Sequence, residues 1–182
     1  AKSVISFFIP FTDEVKKSNW TDAAEPSAQW LHARIEGQRF VIAVCDEIQR
    51  ILKEEGIISV IPASDPRFES VTKPDPERGE KWQGASYTSN WSERHVAFVC
   101  GLGTFGLSKG LITEKGIAGR LGSLIVSERF EPRKREYTDI YEYCTRCGAC
   151  IRRCPAGAIS LENGKEPVSY THLRAHETLS DL

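Results

Sequence analysis

The strongest constraint on this chain is the run Cys144, Thr145, Arg146, Cys147, Gly148, Ala149, Cys150, Ile151, Arg152, Arg153, Cys154, Pro155, with the spacing C-x2-C-x2-C-x3-C-P. Gaps this short let one stretch of backbone wrap a cube of iron and sulfide, each thiolate meeting a different iron, and the spacing is that of a [4Fe-4S] binding run. Gly148 leaves room for the backbone to turn close to such a cluster. Pro155 stops the chain after the last thiol, because it has no N–H and a fixed φ. Cys144, Cys147, Cys150 and Cys154 are therefore the metal-ligating candidates.

Zinc sites usually pair two C-x2-4-C hooks across a longer stretch, which a single four-cysteine run fits poorly. A disulfide framework suits small exported proteins, and no signal-peptide pattern opens this sequence. In two-cluster ferredoxins the fourth cysteine of such a run ligates the other cluster. Only Cys45 and Cys100 remain outside the run, and they stand alone. Two readings stay open: all four cysteines serve one cluster, or Cys154 serves a second one.

With 182 residues, 40% hydrophobic and 27% charged, the chain has the composition of a globular protein with one sizeable core and an appendage. A net charge of −1 gives no general argument for nucleic acid or membrane surfaces. No apolar run approaches the roughly 20 residues of a membrane span. Thiolate ligands point to a reducing cytoplasm. The absence of Met and the opening on an apolar strand suggest a fragment. Residues 168–182 read as a non-native tail, since VSYTHLRAHE resembles translated adapter sequence. His172 and His176, an i, i+4 pair inside it, lack further ligands.

Along the chain, Val4 to Phe11 reads as a buried strand closed by Pro10. Asp22 and Glu25 have capping-box spacing, and Pro26 suits a first helical turn. A long helix follows over about 27–55, burying Leu31, Ile35, Ile42, Cys45, Ile48 and Leu52, with Gly56 as terminator. Residues 57–61 form a second strand, and 63–84 a long proline-rich loop. A helix is expected over 90–100 with Ser89 or Asn90 as cap, then strands at 111–113 and 121–127. A charged linker, 131–136, leads to the cysteine module.

Gly101, Gly103 and Gly106 match G-x-G-x-x-G. A dinucleotide site needs a helix after the third glycine, and Gly110, Gly116 and Gly119 interrupt any helix there. Two other readings remain: a tight turn between helix and strand, and a loop that brings backbone close to a different flat cofactor.

Trp91-Ser-Glu93-Arg94-His95, then Gly101-Leu-Gly103 with Phe105-Gly106, then Gly110-Leu-Ile112-Thr113, followed by the cysteine run, resembles the epoxyqueuosine reductase family, relatives of the reductive dehalogenases. The likeness spans roughly residues 1–161. It implies an α+β chain: an α/β, nitroreductase-related cobalamin-binding domain over 1–135, followed by an incomplete ferredoxin-like [4Fe-4S] module over 136–167. It further implies Arg94, Gly101, Gly103 and Gly106 as cobalamin-binding positions. A second cysteine run and the helical repeats that help hold tRNA in that family are missing, so tRNA is a partner without support in the sequence. The family's catalytic Asp has no counterpart, because no Asp occurs between Asp75 and Asp139. The matching place is at or near Tyr87, which is either a proton donor, as in reductive dehalogenases, or a loop tyrosine.

The resulting expectation is a corrinoid- and iron–sulfur-dependent oxidoreductase. It would take electrons from a low-potential donor such as ferredoxin or flavodoxin and reduce a small or nucleoside substrate. A ferredoxin-like carrier or an iron–sulfur subunit without cobalamin is the alternative.

Overall fold

The computed structural model describes residues 1–20, 25–71, 88–154 and 159–161. Its centre is a three-stranded antiparallel sheet. The strand β1 (Ser3–Pro10) and the two-residue β2 (Ser59–Val60) flank the later strand β7 (Gly119–Val126). The β1–β7 register runs from Ser3 opposite Val126 to Pro10 opposite Gly119. Alternation places Ile5, Phe7 and Ile9 on the face that packs with Leu124 and Val126 of β7. Mixed helix and sheet is the class expected, and all described strand pairs are antiparallel.

Across that face lies α2 (Ala28–Glu54), which follows the short α1 (Asp13–Ser18). Its N-cap is Ser27, whose Oγ accepts from the Trp30 amide at 3.1 Å. The expected box of Asp22 and Glu25 does not start this helix; Asp22 lies outside the described residues, and Pro26 precedes the cap. Ser27 is fixed by two further bonds: its N–H donates to Asn19 Oδ1 (2.9 Å), and its hydroxyl meets that of Ser18 (2.8 Å). The helix ends on Glu55, with Gly56 following at φ 73°.

The buried stripe differs from the sequence expectation. Val41, Cys45 and Leu52 are buried, Ile48 is partly so, and Ile35 is 51% exposed. The apolar sheet face reaches only the later turns of α2. Over the earlier turns lies Arg120 of β7, whose guanidinium donates to the Arg34 carbonyl, and Phe11 meets Trp30 edge-on at 5.3 Å. Burial pushes the Cys45 thiol up to about 11, the neighbouring Glu93 and Asp46 adding to the effect, so it stays protonated as a core residue.

Two small antiparallel pairs complete the described chain: β3 (Ser70–Val71) with β4 (Thr88–Ser89), and β5 (Gly103–Phe105) with β6 (Leu111–Thr113). Between them sits α3 (Glu93–Val99), shorter than expected, with Ser92 as N-cap. Ser92 makes no capping bond with its side chain, because its hydroxyl pairs with His95 Nδ1 at 2.7 Å. A short helix, α4 (Ala149–Arg152), lies in the cysteine run. No helix among the described residues is long and apolar enough to cross a membrane.

The altered stripe is testable by urea unfolding of the full chain. Leu124→Ala, which empties a fully buried position, is expected to cost about 2–5 kcal/mol. Ile35→Ala is expected to stay within about 0.5 kcal/mol of the parent. Comparable losses at both positions would restore the original stripe.

Candidate metal centre and adjoining cavity

The cysteine run is held against the body of the protein by the residues just before it. Tyr137 is 5% exposed; its ring stacks on Phe98 of α3 (centroids 5.2 Å apart), and its hydroxyl donates to the Phe98 carbonyl. The Phe105 amide donates to the Ile140 carbonyl at 2.7 Å. The Tyr143 amide donates to Thr104 Oγ1 at 2.8 Å, and Thr104 is fully buried. Local turns support this docking: Glu142 Oε2 accepts from the Thr138 and Asp139 amides, and Asp139 Oδ1 accepts from Tyr141.

From Cys144 onward the backbone turns tightly. Arg146 (φ 55°) and Gly148 (φ 71°) both sit in the left-handed region, which favours glycine and strains Arg146. Gly148 is the N-cap of α4, and its carbonyl accepts from Ile151 and Arg152. Arg152 Nη1 returns to the Cys147 carbonyl (3.0 Å), and Arg153 Nη2 crosses to the Asn19 carbonyl (2.8 Å). Beyond the run, Ile159 is buried and anchors the chain again.

The thiols have different environments. Cys147 is exposed, and the Ala149 N–H, with help from the Thr145 hydroxyl, pulls its thiol below the ordinary range. Burial pushes Cys150 up, and charge on Cys144 and Cys147 pushes the same way, so these three thiols lie within electrostatic reach of one another. Among the described residues no three His, Cys, Asp or Glu side chains are gathered in metal-binding geometry. The donor set nonetheless suits a [4Fe-4S] cluster: four free thiols, a left-handed Gly148 and a short helix whose amides favour thiolate. Cys144, Cys147, Cys150 and Cys154 are the residues that would hold it.

The glycine segment is a helix end followed by a hairpin. Gly101 (φ 86°) leaves α3, Gly103 opens β5, and the Gly106 amide donates to the Gly110 carbonyl. The strand β5 is absent from the sequence reading; a turn between helix and strand is present, and no helix follows the glycines. A Cβ on Gly103 would lie 2.0 Å from the Ile112 carbonyl oxygen. The space that this glycine leaves is therefore filled by its own hairpin, not held open for a cofactor.

One face of the hairpin borders a cavity of about 970 Å³. Trp91, Arg94, Phe105, Lys109, Arg120 and Tyr141 stand in its wall. Of the cofactor-binding positions expected from the sequence, Arg94 lines this cavity and also braces the hairpin by donating to the Lys109 carbonyl (3.2 Å). Gly101, Gly103 and Gly106 are not among its lining residues, whereas Gly110 is. Tyr87 lies outside the described residues. Sequence reasoning gave no site role to Thr104, Trp91, Lys109 or the half-buried acid Glu93. The pairing of Ser123 with Trp91 Nε1 (3.1 Å) and Glu93 Oε1 (3.0 Å) joins chain segments about thirty residues apart and left no local signal.

Thr104→Val should unpin the cysteine run while filling the same volume. Loss of its buried hydrogen bond is expected to cost about 1–3 kcal/mol and to speed exchange of the Tyr143 amide in hydrogen–deuterium exchange. Unchanged exchange at Tyr143 would show that the docking does not depend on this bond.

A family model described as a 4Fe-4S binding domain matches residues 137–160, which include the docking residues and all four cysteines. No curated protein and no solved structure matches the chain.

Proposed function

We propose that this chain is an iron–sulfur electron-transfer protein whose cluster serves a molecule bound in the adjoining cavity. The observation that carries the reading is a junction. The segment matched to 4Fe-4S binding domains is bonded to the β5–β6 hairpin, and that hairpin, with Ile140 and Tyr141 of the segment itself, walls the cavity. When bound, a [4Fe-4S] cluster supplies one-electron transfer at a potential set by nearby charge and hydrogen bonds. The chain's own part is to present four thiolates on a tightly turned run and to keep that run pressed against the cavity wall.

The finer form of the proposal is a reductase of the epoxyqueuosine reductase type, with a corrinoid in the cavity and a small or nucleoside substrate. Its support is the sequence resemblance, a cavity within the roughly 300–1,000 Å³ of cofactor sites, and Arg94 in its wall. Tyr87 is the proposed proton donor. A second reading, a ferredoxin-like carrier without cobalamin, is favoured by one observation: the close approach at Gly103 is already used by Ile112. In either form the electron donor is a low-potential, acidic protein such as flavodoxin or ferredoxin, attracted by Arg146, Arg152 and Arg153.

Anaerobic titration of reconstituted full chain with cob(II)alamin tests the finer form. Saturable binding with a base-off spectral shift is expected; no response from protein with an intact cluster would leave the carrier. Cys154→Ser reports on ligation: loss of the cluster means one self-contained site, and survival means that Cys154 serves another.

Donor docking is tested at Arg146, because Arg152 and Arg153 also hold backbone carbonyls. Arg146→Glu should slow reduction by flavodoxin at low salt, with the difference fading as salt screens the charge. Rates equal to the parent at every ionic strength would remove the docking role.

A further inference from the structure

The cysteine segment has no apolar core of its own. Tyr137 at its start is 5% exposed and Ile159 beyond its end is 4% exposed. Between these anchors no described hydrophobic side chain is buried. From Thr138 to Gly148 the chain forms neither helix nor strand, and α4, which follows, has four residues. Arg146 in the left-handed region adds backbone strain. Burial therefore does little to order this stretch. Its order comes from bonds to its neighbours and from whatever its thiols hold, and in such a segment metal-binding free energy acts as folding free energy.

The same stretch supplies part of the cavity. Ile140 and Tyr141 stand in its wall. The Cys144 amide donates to the Tyr141 carbonyl at 3.0 Å, which ties a wall residue to the backbone of a candidate ligand. The Ile140 carbonyl accepts from the amide of Phe105, itself a wall residue, and the Tyr143 amide donates to Thr104 Oγ1. Residues 140–144 thus join the first thiol, two wall positions and β5. The opposite side of the cavity is built differently. Phe8 and Leu121 come from the sheet, whose core holds Leu124 and Val126 fully buried. One wall stands on a packed core, and the other stands on the thiol segment.

We propose that cluster loading and cavity shape form one coupled equilibrium. Holding a cluster fixes residues 140–144 and completes the wall; losing it loosens Ile140 and Tyr141 while the sheet side stays folded. Such coupling is reciprocal. An occupant that needs the completed wall binds the loaded chain more tightly, and its binding slows loss of the cluster. The cavity is then competent only in protein able to pass an electron. This inference rests on the reading of the cysteine run as a [4Fe-4S] site and holds for any occupant of the cavity.

The test compares the full chain, reconstituted and metal-free, by anaerobic hydrogen–deuterium exchange. The Phe105 amide is the reporter, because it lies on the hairpin and outside the cysteine segment. The Ser127 amide, bonded to the Ile58 carbonyl across the sheet at 2.8 Å, is the control. Removing the cluster should speed exchange at Phe105 by at least about tenfold and leave Ser127 unchanged. The reverse direction is read as iron release from loaded protein to a ferrous chelator. Thr104→Val, which breaks the bond to Tyr143, should release iron at least about fivefold faster than the parent, and Thr104→Ser, which keeps the hydroxyl, should stay near it. Equal Phe105 exchange in the two forms overturns the proposal. So does equal acceleration at Ser127, which would mean that the whole fold loosens, or iron release from Thr104→Val at the parent rate. The parent comparison decides without either variant. A chain that takes up no iron and sulfide overturns the cluster reading and this inference together, whereas an intact cluster with an unresponsive Phe105 amide sinks this inference alone.

Discussion

A missing side chain at Gly103 is the constraint on which the functional half of the structure rests. The Ile112 carbonyl occupies the place where a Cβ would stand, so β5 and β6 can close into a hairpin. Closure fixes the Thr104 hydroxyl and the Phe105 amide as partners for Tyr143 and Ile140. Those two bonds, with Tyr137 on Phe98, seat the cysteine run. The glycine motif thus serves the metal centre indirectly, by shaping the surface on which it docks.

The same hairpin gives the cluster segment a neighbour. Its turn carries Lys109 into the cavity wall, and Phe105 and Leu111 line it alongside Tyr141 of the cluster segment. Thiol chemistry is segregated in parallel. Cys45, buried and raised to about 11, stays protonated in the core, while the Ala149 N–H draws the exposed Cys147 thiol below its ordinary range.

Local chemistry was the part legible in the sequence. The strands at 3–10 and 111–113 and the helix at 28–54 follow from runs and periods that one segment carries alone. Cysteine spacing likewise identified the segment that a 4Fe-4S binding family model matches. What escaped depends on distant partners. Ile35 reads as core by period, yet it is 51% exposed, and the contact that β7 makes at this end of α2 is Arg120 donating to the Arg34 carbonyl. The glycines read either as a tight turn or as a loop open to a flat cofactor; the turn is present, and at Gly103 the space is filled by Ile112 of the hairpin. Glu93 reads only as part of the Trp91–His95 motif; that its carboxylate is half-buried is visible only once Ser123 is brought beside it and Trp91.

The reading that the rest depends on is that the docked cysteine run binds a [4Fe-4S] cluster. Iron, acid-labile sulfide and zinc analysis of anaerobically reconstituted protein, read with its Mössbauer spectrum, tests it most directly. About four iron and four sulfide per chain, with a [4Fe-4S] spectrum, is the result the account predicts. Stoichiometric zinc with no sulfide after iron-replete preparation would contradict it.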